Sequence, residues 1–226
     1  MKVTYYGHSC FGIELGGKYL LFDPFISPNE KAKHIDIEGI KADYIFVSHG
    51  HEDHVADLVR IATHTGAKVV ANWEIYAWLQ KQGVKNGHPM NIGGQWNFGD
   101  FSVKCVVAQH SSALPDGSYG GNPMGFVFFT KEGNFYYSGD TALTYEMKLI
   151  AEMTELTFAF LCLGDNFTMG VKDAIKAADF IGCENIIGMH FDTFGFIVIP
   201  HEQAIADFAE SGKQLRLLSI GEQIEM

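Results

Sequence analysis

Six residues constrain this chain more than any others: His49-Gly50-His51-Glu52-Asp53-His54. A short β-rich run, Asp43 to Ser48, leads into them, and a helical pattern leaves from Val55. In an extended turn, His49 and His51 can point to one side, while Asp53 and His54 open the helix and aim at a second point nearby. Imidazole nitrogens and a carboxylate oxygen together suit Zn²⁺ and neighbouring divalent metals. One loop cannot complete two coordination shells, so further ligands are expected elsewhere. Three residues share a suitable placement, each following directly on a strand: His110, Asp140 and His190. Side chains at the ends of several strands can meet at one edge of a sheet, where ligand sites commonly form.

The surrounding pattern is that of one α/β domain spanning residues 1–226. Strands are predicted at 2–6, 11–15, 19–23, 44–48, 67–71, 101–108, 125–130, 134–138, 157–163 and 185–189. Helices are predicted at 54–64, 73–82, 143–153, 171–181 and 200–211, the last opening at Pro200 and stopping before Gly212. A faint duplication runs through them. Gly7-His8-Ser9, a strand, the Gly16-Gly17 turn, a second strand and Asp23 are echoed by Gln109-His110-Ser111, a strand, the Glu132-Gly133 turn, a second strand and Asp140. The domain is therefore expected to consist of two similar halves, sheet against sheet with helices outside. His8 becomes the counterpart of His110, and Asp23 that of Asp140.

Composition narrows the partners. A formal charge of −11, from 16 basic against 27 acidic residues with no basic run, disfavours nucleic acid. It leaves a small-molecule substrate, including a small phosphate ester, because bound cations reverse the local field. The apolar runs are too short to span a bilayer. The first residues read straight into a strand without a secretory leader, so the chain is read as cytoplasmic. Cys10, Cys105, Cys162 and Cys183 sit among apolar neighbours and are expected to be buried, reduced thiols.

These residues resemble those of the metallo-β-lactamase superfamily over essentially the whole chain. In style the chain is similar to small bacterial metal-dependent hydrolases, themselves similar to ascorbate-phosphate lactonases and N-acylphosphatidylethanolamine phospholipase D. The resemblance is carried by Asp23-Pro24, the His49–His54 loop, His110, the turn Ser138-Gly139-Asp140-Thr141, and His190. It implies a four-layer αββα sandwich, with two divalent metal ions, Zn first and Mn or Fe as alternatives. It implies that His49, His51 and His110 bind one ion, that Asp53, His54 and His190 bind the other, and that Asp140 bridges. Two such ions about 3.5–4 Å apart can hold a bridging hydroxide and polarise the oxygen of a small ester, lactone or phosphodiester. Asp53 is placed to orient that water and take its proton.

Other positions carry less. His8 reads either as a catalytic group facing the site or as a structural hydrogen-bond partner. Asp23 reads as the group that fixes a ligand imidazole. Residues 164–170 read as helix capping or pocket lining, and 111–124 as a flap or a plain surface loop. Phe191, Phe194, Phe196 and Ile197 are either core or an apolar wall beside the site. His34, His64, His88 and His201 are expected to be solvated. A glyoxalase-type thioesterase shares the ligand pattern but usually carries a further substrate-binding domain. Di-iron redox proteins on this scaffold typically have Glu where this chain has His51, and need a flavin-binding partner domain. Related small hydrolases are often multimeric, so a homo-oligomer stays open.

Overall fold

The computed structural model describes residues 1–226 and falls into two compact units. One contains 1–92, 111–123 and 219–226, the other 93–110 and 124–218. The first begins with β1 (Lys2–Gly7), β2 (Cys10–Leu15) and β3 (Lys18–Phe22). The β2–β3 hairpin closes through Gly16 and Gly17 at φ 57° and 75°, the left-handed pair a two-residue turn requires. There follow β4 (Tyr44–Phe46), α1 (Glu52–Val55), α2 (Leu58–Thr65), β5 (Lys68–Ala71), α3 (Trp73–Lys81) and β6 (Gly87–Pro89). Ile45 and Val69 pack in one apolar cluster with Leu58 and Ile61 of α2 and Ile75 and Leu79 of α3. Apolar residues recurring every three to four positions supply that helical face.

The second unit runs β7 (Gln95–Asn97), β8 (Phe101–Val107), β9 (Met124–Thr130), β10 (Phe135–Tyr137), α4 (Lys148–Met153), β11 (Phe158–Cys162), α5 (Val171–Ile181), β12 (Asn185–Met189), α6 (His201–Glu210) and β13 (Gln214–Arg216). All five β11 residues are buried, as a central parallel strand covered on both faces demands. A row of rings crosses this sheet. Phe128 stacks on Phe135 at 4.4 Å and Phe135 on Phe158 at 5.2 Å, directly along the strand register.

The last strand, β14 (Gln223–Glu225), returns to the first unit and pairs with β1. The sheet orders are β14-β1-β2-β3-β4-β5-β6 and β13-β12-β11-β10-β9-β8-β7. Both sheets repeat one pattern of pairing: an edge strand, an antiparallel three-strand meander, then three parallel additions. Two mixed sheets flanked by helices give the α/β class expected from the sequence.

The ten expected strands appear within two residues of their predicted ends. Expectation failed in three places. β6, β7, β13 and β14 are three-residue strands with at most one central apolar side chain each, too short for a periodic signal to mark them. The helix predicted over 54–64 breaks into α1 and α2. Asp57, at the break, is buried and turns its carboxylate to the N–H groups of Ile26 and Ser27, at 2.7 and 2.8 Å. Its own N–H donates to the Pro24 carbonyl at 3.0 Å, outside the helical ladder. The helix predicted over 143–153 is confined to α4, because Thr144 is extended and only a 3-10 turn, Tyr145–Met147, precedes it.

Candidate metal centre

In the first unit β1 and β3 both run antiparallel to β2, and β4 and β5 continue parallel to β3. The C-terminal ends of β1, β3, β4 and β5 therefore share one edge. His8 follows β1, Asp23 follows β3, and the 49–54 loop follows β4. Asp23 is fully buried. Its Oδ1 accepts from the Ser48 N–H at 2.7 Å, and its Oδ2 accepts from Ser48 Oγ at 2.6 Å and His54 Nδ1 at 2.9 Å. A carboxylate only accepts, so Nδ1 of His54 carries the proton and Nε2 the lone pair. The hydroxyl proton of Ser48 points at Asp23, so Ser48 Oγ accepts from His49 Nδ1 at 3.0 Å. His49 takes the same tautomer by relay. Its Nε2 lies 3.0 Å from His51 Nδ1, near the separation of two nitrogens each about 2.0–2.1 Å from one ion.

Asp53 meets His8, whose Nε2 lies 3.1 Å from its Oδ2. His8, Asp53 and His54 bring potential ligand atoms within 4.8 Å of one another. The His8 ring is fully buried, whereas the Asp53 side chain is 25% exposed. The contact with Asp53 places the His8 imidazole beside the loop's carboxylate and is compatible with both readings of His8. The segment 111–123 is anchored beside the loop. Leu114 is buried in the cluster under α2 and α3, Ser112 Oγ accepts from the Gly50 N–H at 3.0 Å, and Ser111 Oγ lies 3.4 Å from His51 Nε2.

In the second unit, β8, β10 and β12 point the same way, so His110, Asp140 and His190 follow strands at one edge. Asp140 and His190 are buried. Asp140 Oδ2 lies 2.9 Å from His190 Nε2 and 3.7 Å from His110 Nε2. Thr141 braces the turn, its Oγ1 accepting from the Gln109 N–H at 2.9 Å. Beneath lies Cys162, whose pKa is pushed up to about 11, by burial first and by the charge of Asp140 second. It is an inert neighbour rather than a ligand or nucleophile. Cys10, Cys105 and Cys183 are buried too, with burial raising each thiol's pKa.

The donors fit a divalent cation. They are buried or half-buried imidazoles and carboxylates, with the tautomers of His54 and His49 fixed from behind. Sequence reasoning missed Ser48, the relay between Asp23 and His49. Its one signal was a hydroxyl at the strand end immediately before the first histidine. His34, His64 and His201 are exposed as expected, but His88 is half-buried in β6, where desolvation and then Lys68 lower its pKa. Phe191 and Ile197 are buried, while Phe194 and Phe196 are exposed.

No helix is long and apolar enough to cross a membrane. A family profile described as the beta-lactamase superfamily domain matches residues 18–191. A UPF0173 metal-dependent hydrolase of Flavobacterium johnsoniae is 54% identical over 226 residues, covering all of both chains. One from Christiangramia forsetii is 51% identical over 227 residues with the same coverage. Among solved structures, a metallo hydrolase of Ignicoccus hospitalis superposes with a TM-score of 0.89 at 31% identity, over 99% of this chain and 97% of that one. An isothiocyanate hydrolase from Delia radicum gut bacteria shares the fold, with a TM-score of 0.81 at 17% identity over 100% and 99%.

Proposed function

The chain belongs to the UPF0173 family of metal-dependent hydrolases within the beta-lactamase superfamily, and on that premise we propose a two-metal hydrolase acting on a small ester, lactone or phosphodiester. The proposed ligands are His49, His51 and His110 for one ion, Asp53, His54 and His190 for the other, and Asp140 for both. Zn is the proposed metal, with Mn or Fe admitted by an all-nitrogen-and-oxygen donor set. One observation carries the reading: Asp23 sets the tautomer of His54 directly and of His49 through Ser48. A buried carboxylate ordering two histidines of one loop is the support a metal ligand needs and an ordinary core does not.

When bound, the ions would supply water activated at neutral pH and neutralise charge developing on the substrate's oxygen. The chain's own residues do the rest. Asp53, held by His8 and partly exposed, orients the attacking water and accepts its proton. In an ester or lactone the acyl carbon–oxygen bond breaks, the water oxygen takes the vacated position, and the proton held on Asp53 passes to the leaving alkoxide. His8 keeps the Asp53 carboxylate in one rotamer during both transfers. A net charge of −11 supports a small-molecule substrate in preference to nucleic acid. The proposed setting is the cytoplasm, and the proposed working unit is the whole of residues 1–226 as one domain.

The test is hydrolysis of p-nitrophenyl acetate, δ-valerolactone and bis-p-nitrophenyl phosphate, before and after chelation and after metal is restored. We expect activity on at least one substrate, lost with the metal and regained with it. Asp53→Asn should lower kcat by about 10²–10⁴-fold, the usual worth of a positioned base. Metal-loaded protein inert to all three would refute the reading.

A further inference from the structure

The histidines of the 49–54 loop need different tautomers. A neutral imidazole offers one lone pair, and the group behind its other nitrogen decides which. Asp23 holds the proton of His54 on Nδ1, and that of His49 through Ser48, so both present Nε2. His51 is turned the other way, with its Nδ1 3.0 Å from His49 Nε2. To share an ion with His49 it must carry its proton on Nε2. At that nitrogen stands Ser111 Oγ, 3.4 Å away, at the long end of hydrogen bonding.

Ser111 is exposed, but the backbone that carries it is fastened down. Residues 112–120 form a small hairpin turned by Asp116-Gly117. Ala113 bridges to Tyr119, and the Asp116 carboxylate accepts from the Ser118 N–H at 2.9 Å. Leu114 is buried with α2 and α3, and the Gly120 carbonyl accepts from Asn72 Nδ2 at 2.7 Å. Toward the loop, Ser112 Oγ accepts from the Gly50 N–H at 3.0 Å. A Cβ at Gly50 would lie 3.1 Å from the Leu114 side chain, and one at Gly120 would lie 2.3 Å from Ser112 Oγ. Gly50 sits between His49 and His51. A hairpin fastened to it therefore places Ser111 beside His51 and keeps it there.

A hydroxyl suits that place better than a carboxylate would. In the chelated chain, the lone pair of His49 Nε2 faces His51 Nδ1 at 3.0 Å. His51 then carries its proton on Nδ1 and donates it to His49. A bound cation claims both lone pairs, and the His51 proton must be on Nε2. The ring stays neutral, since one proton leaves Nδ1 for water and another reaches Nε2 from water. A carboxylate such as Asp23 only accepts and locks one tautomer, whereas a hydroxyl donates or accepts. Ser111 can donate to a bare Nε2 and accept from a protonated one.

We propose that Ser111 is the positioning residue of His51, its hydroxyl turning from donor to acceptor as the His51 proton moves from Nδ1 to Nε2 for metal binding. The proposal rests on the metal-dependent hydrolase reading and assigns the outer partner of the one loop histidine that Asp23 does not serve.

The test uses the full chain, zinc-loaded and chelated, as parent, Ser111→Ala, Ser111→Thr and Ser111→Val. Threonine keeps the hydroxyl, and valine matches its shape without it. ¹⁵N NMR of the ring nitrogens, with His51 assigned by its loss in His51→Gln, reads the tautomer directly. The proton should sit on Nδ1 in the chelated parent and on Nε2 in the zinc-loaded one. Its exchange with solvent in the zinc-loaded chain should be faster in Ser111→Ala and Ser111→Val and restored in Ser111→Thr. Competition with a chromogenic chelator should show zinc bound about two- to tenfold more weakly by the Ala and Val variants, the worth of one neutral hydrogen bond. Ser111→Thr should stay within about twofold of the parent. Ser118→Ala, at an exposed serine of the same hairpin, should change neither readout. A His51 proton on Nε2 with and without zinc, or equal zinc affinity in all four chains, would overturn the proposal. Hydrolysis by a zinc-loaded parent with no effect at Ser111 would remove the positioning role and leave the hydrolase reading. The Ser111 effects in a chain that hydrolyses nothing would do the reverse, and a parent that takes up no zinc would overturn both.

Discussion

Asp23→Asn changes one oxygen of a fully buried carboxylate to an NH₂ group without changing its volume. In one orientation the new amide oxygen still accepts from the Ser48 N–H, now 2.7 Å away. The NH₂ group then faces Ser48 Oγ and His54 Nδ1, at the present 2.6 and 2.9 Å. A donor now opposes the Nδ1–H of His54, and relief comes by moving the imidazole proton to Nε2. That removes the lone pair needed for ligation. Ser48 can turn its hydroxyl proton toward His49 Nδ1, which pushes His49 into the same wrong tautomer. One charge-assisted hydrogen bond is worth about 1.5–3 kcal/mol, or roughly a 10–150-fold change in affinity. Loss of an outer partner typically weakens metal binding by about 10–100-fold, in agreement. The assay is competition for Zn²⁺ with a chromogenic chelator, alongside the Tm of the chelated protein. Asp57→Asn is the control: it is equally buried and accepts from Ile26 and Ser27. It should lower Tm and leave affinity within about twofold, because no histidine hydrogen bond changes. Equal zinc affinity in Asp23→Asn and the parent would refute the tautomer argument, whatever happened to Tm.

Four further outcomes are expected. Ellman's reagent at pH 8 should label none of the four cysteines of the folded chain and all four after denaturation. Their thiols are buried, with pKa values raised to about 12 at Cys105 and about 11 at Cys162 and Cys183. A raised folded pKa contributes stability that is whole below the unfolded value of about 8.5 and falls as pH climbs toward the folded one. Tm should therefore decline between about pH 9 and 11, and a flat profile there would contradict it. Phe128→Ala should cost about 3–5 kcal/mol in urea denaturation, since it opens the ring row that Phe135 and Phe158 continue. Asn72 caps α3, its Oδ1 accepting from the Ile75 N–H at 2.9 Å, and its Nδ2 donates to the Gly120 carbonyl at 2.7 Å. Asn72→Ala should cost about 1–2 kcal/mol and speed amide exchange in residues 111–123, and unchanged exchange there would count against the anchoring.

The site was more legible than the edges of the fold. Histidines two and three residues apart in one loop announce themselves through residue type, and strands such as Phe158–Cys162 through apolar content. The three-residue edge strands are written in backbone hydrogen bonds to neighbours far along the chain, so β14 depends on β1 across more than 200 positions. The break at Asp57 was invisible for the same reason: its partners, Ile26 and Ser27, belong to a different loop. Ser48 escaped notice because a serine at a strand end carries no signal until the aspartate it serves is in place. Phe194 and Phe196 differ from Phe191 and Ile197 only in which way an irregular segment turns, and no periodicity encodes that.

The central claim is that the three histidines and Asp53 of the 49–54 loop, with His110, Asp140 and His190, hold metal. Elemental analysis of the purified chain, after exposure to Zn²⁺ and Mn²⁺ and removal of the excess, tests it most directly. The expected result is about two ions per chain, falling well below that in Asp140→Ala with the fold retained by circular dichroism. A folded chain that stays metal-free, or one whose metal content is indifferent to Asp140→Ala and His54→Ala alike, would contradict it.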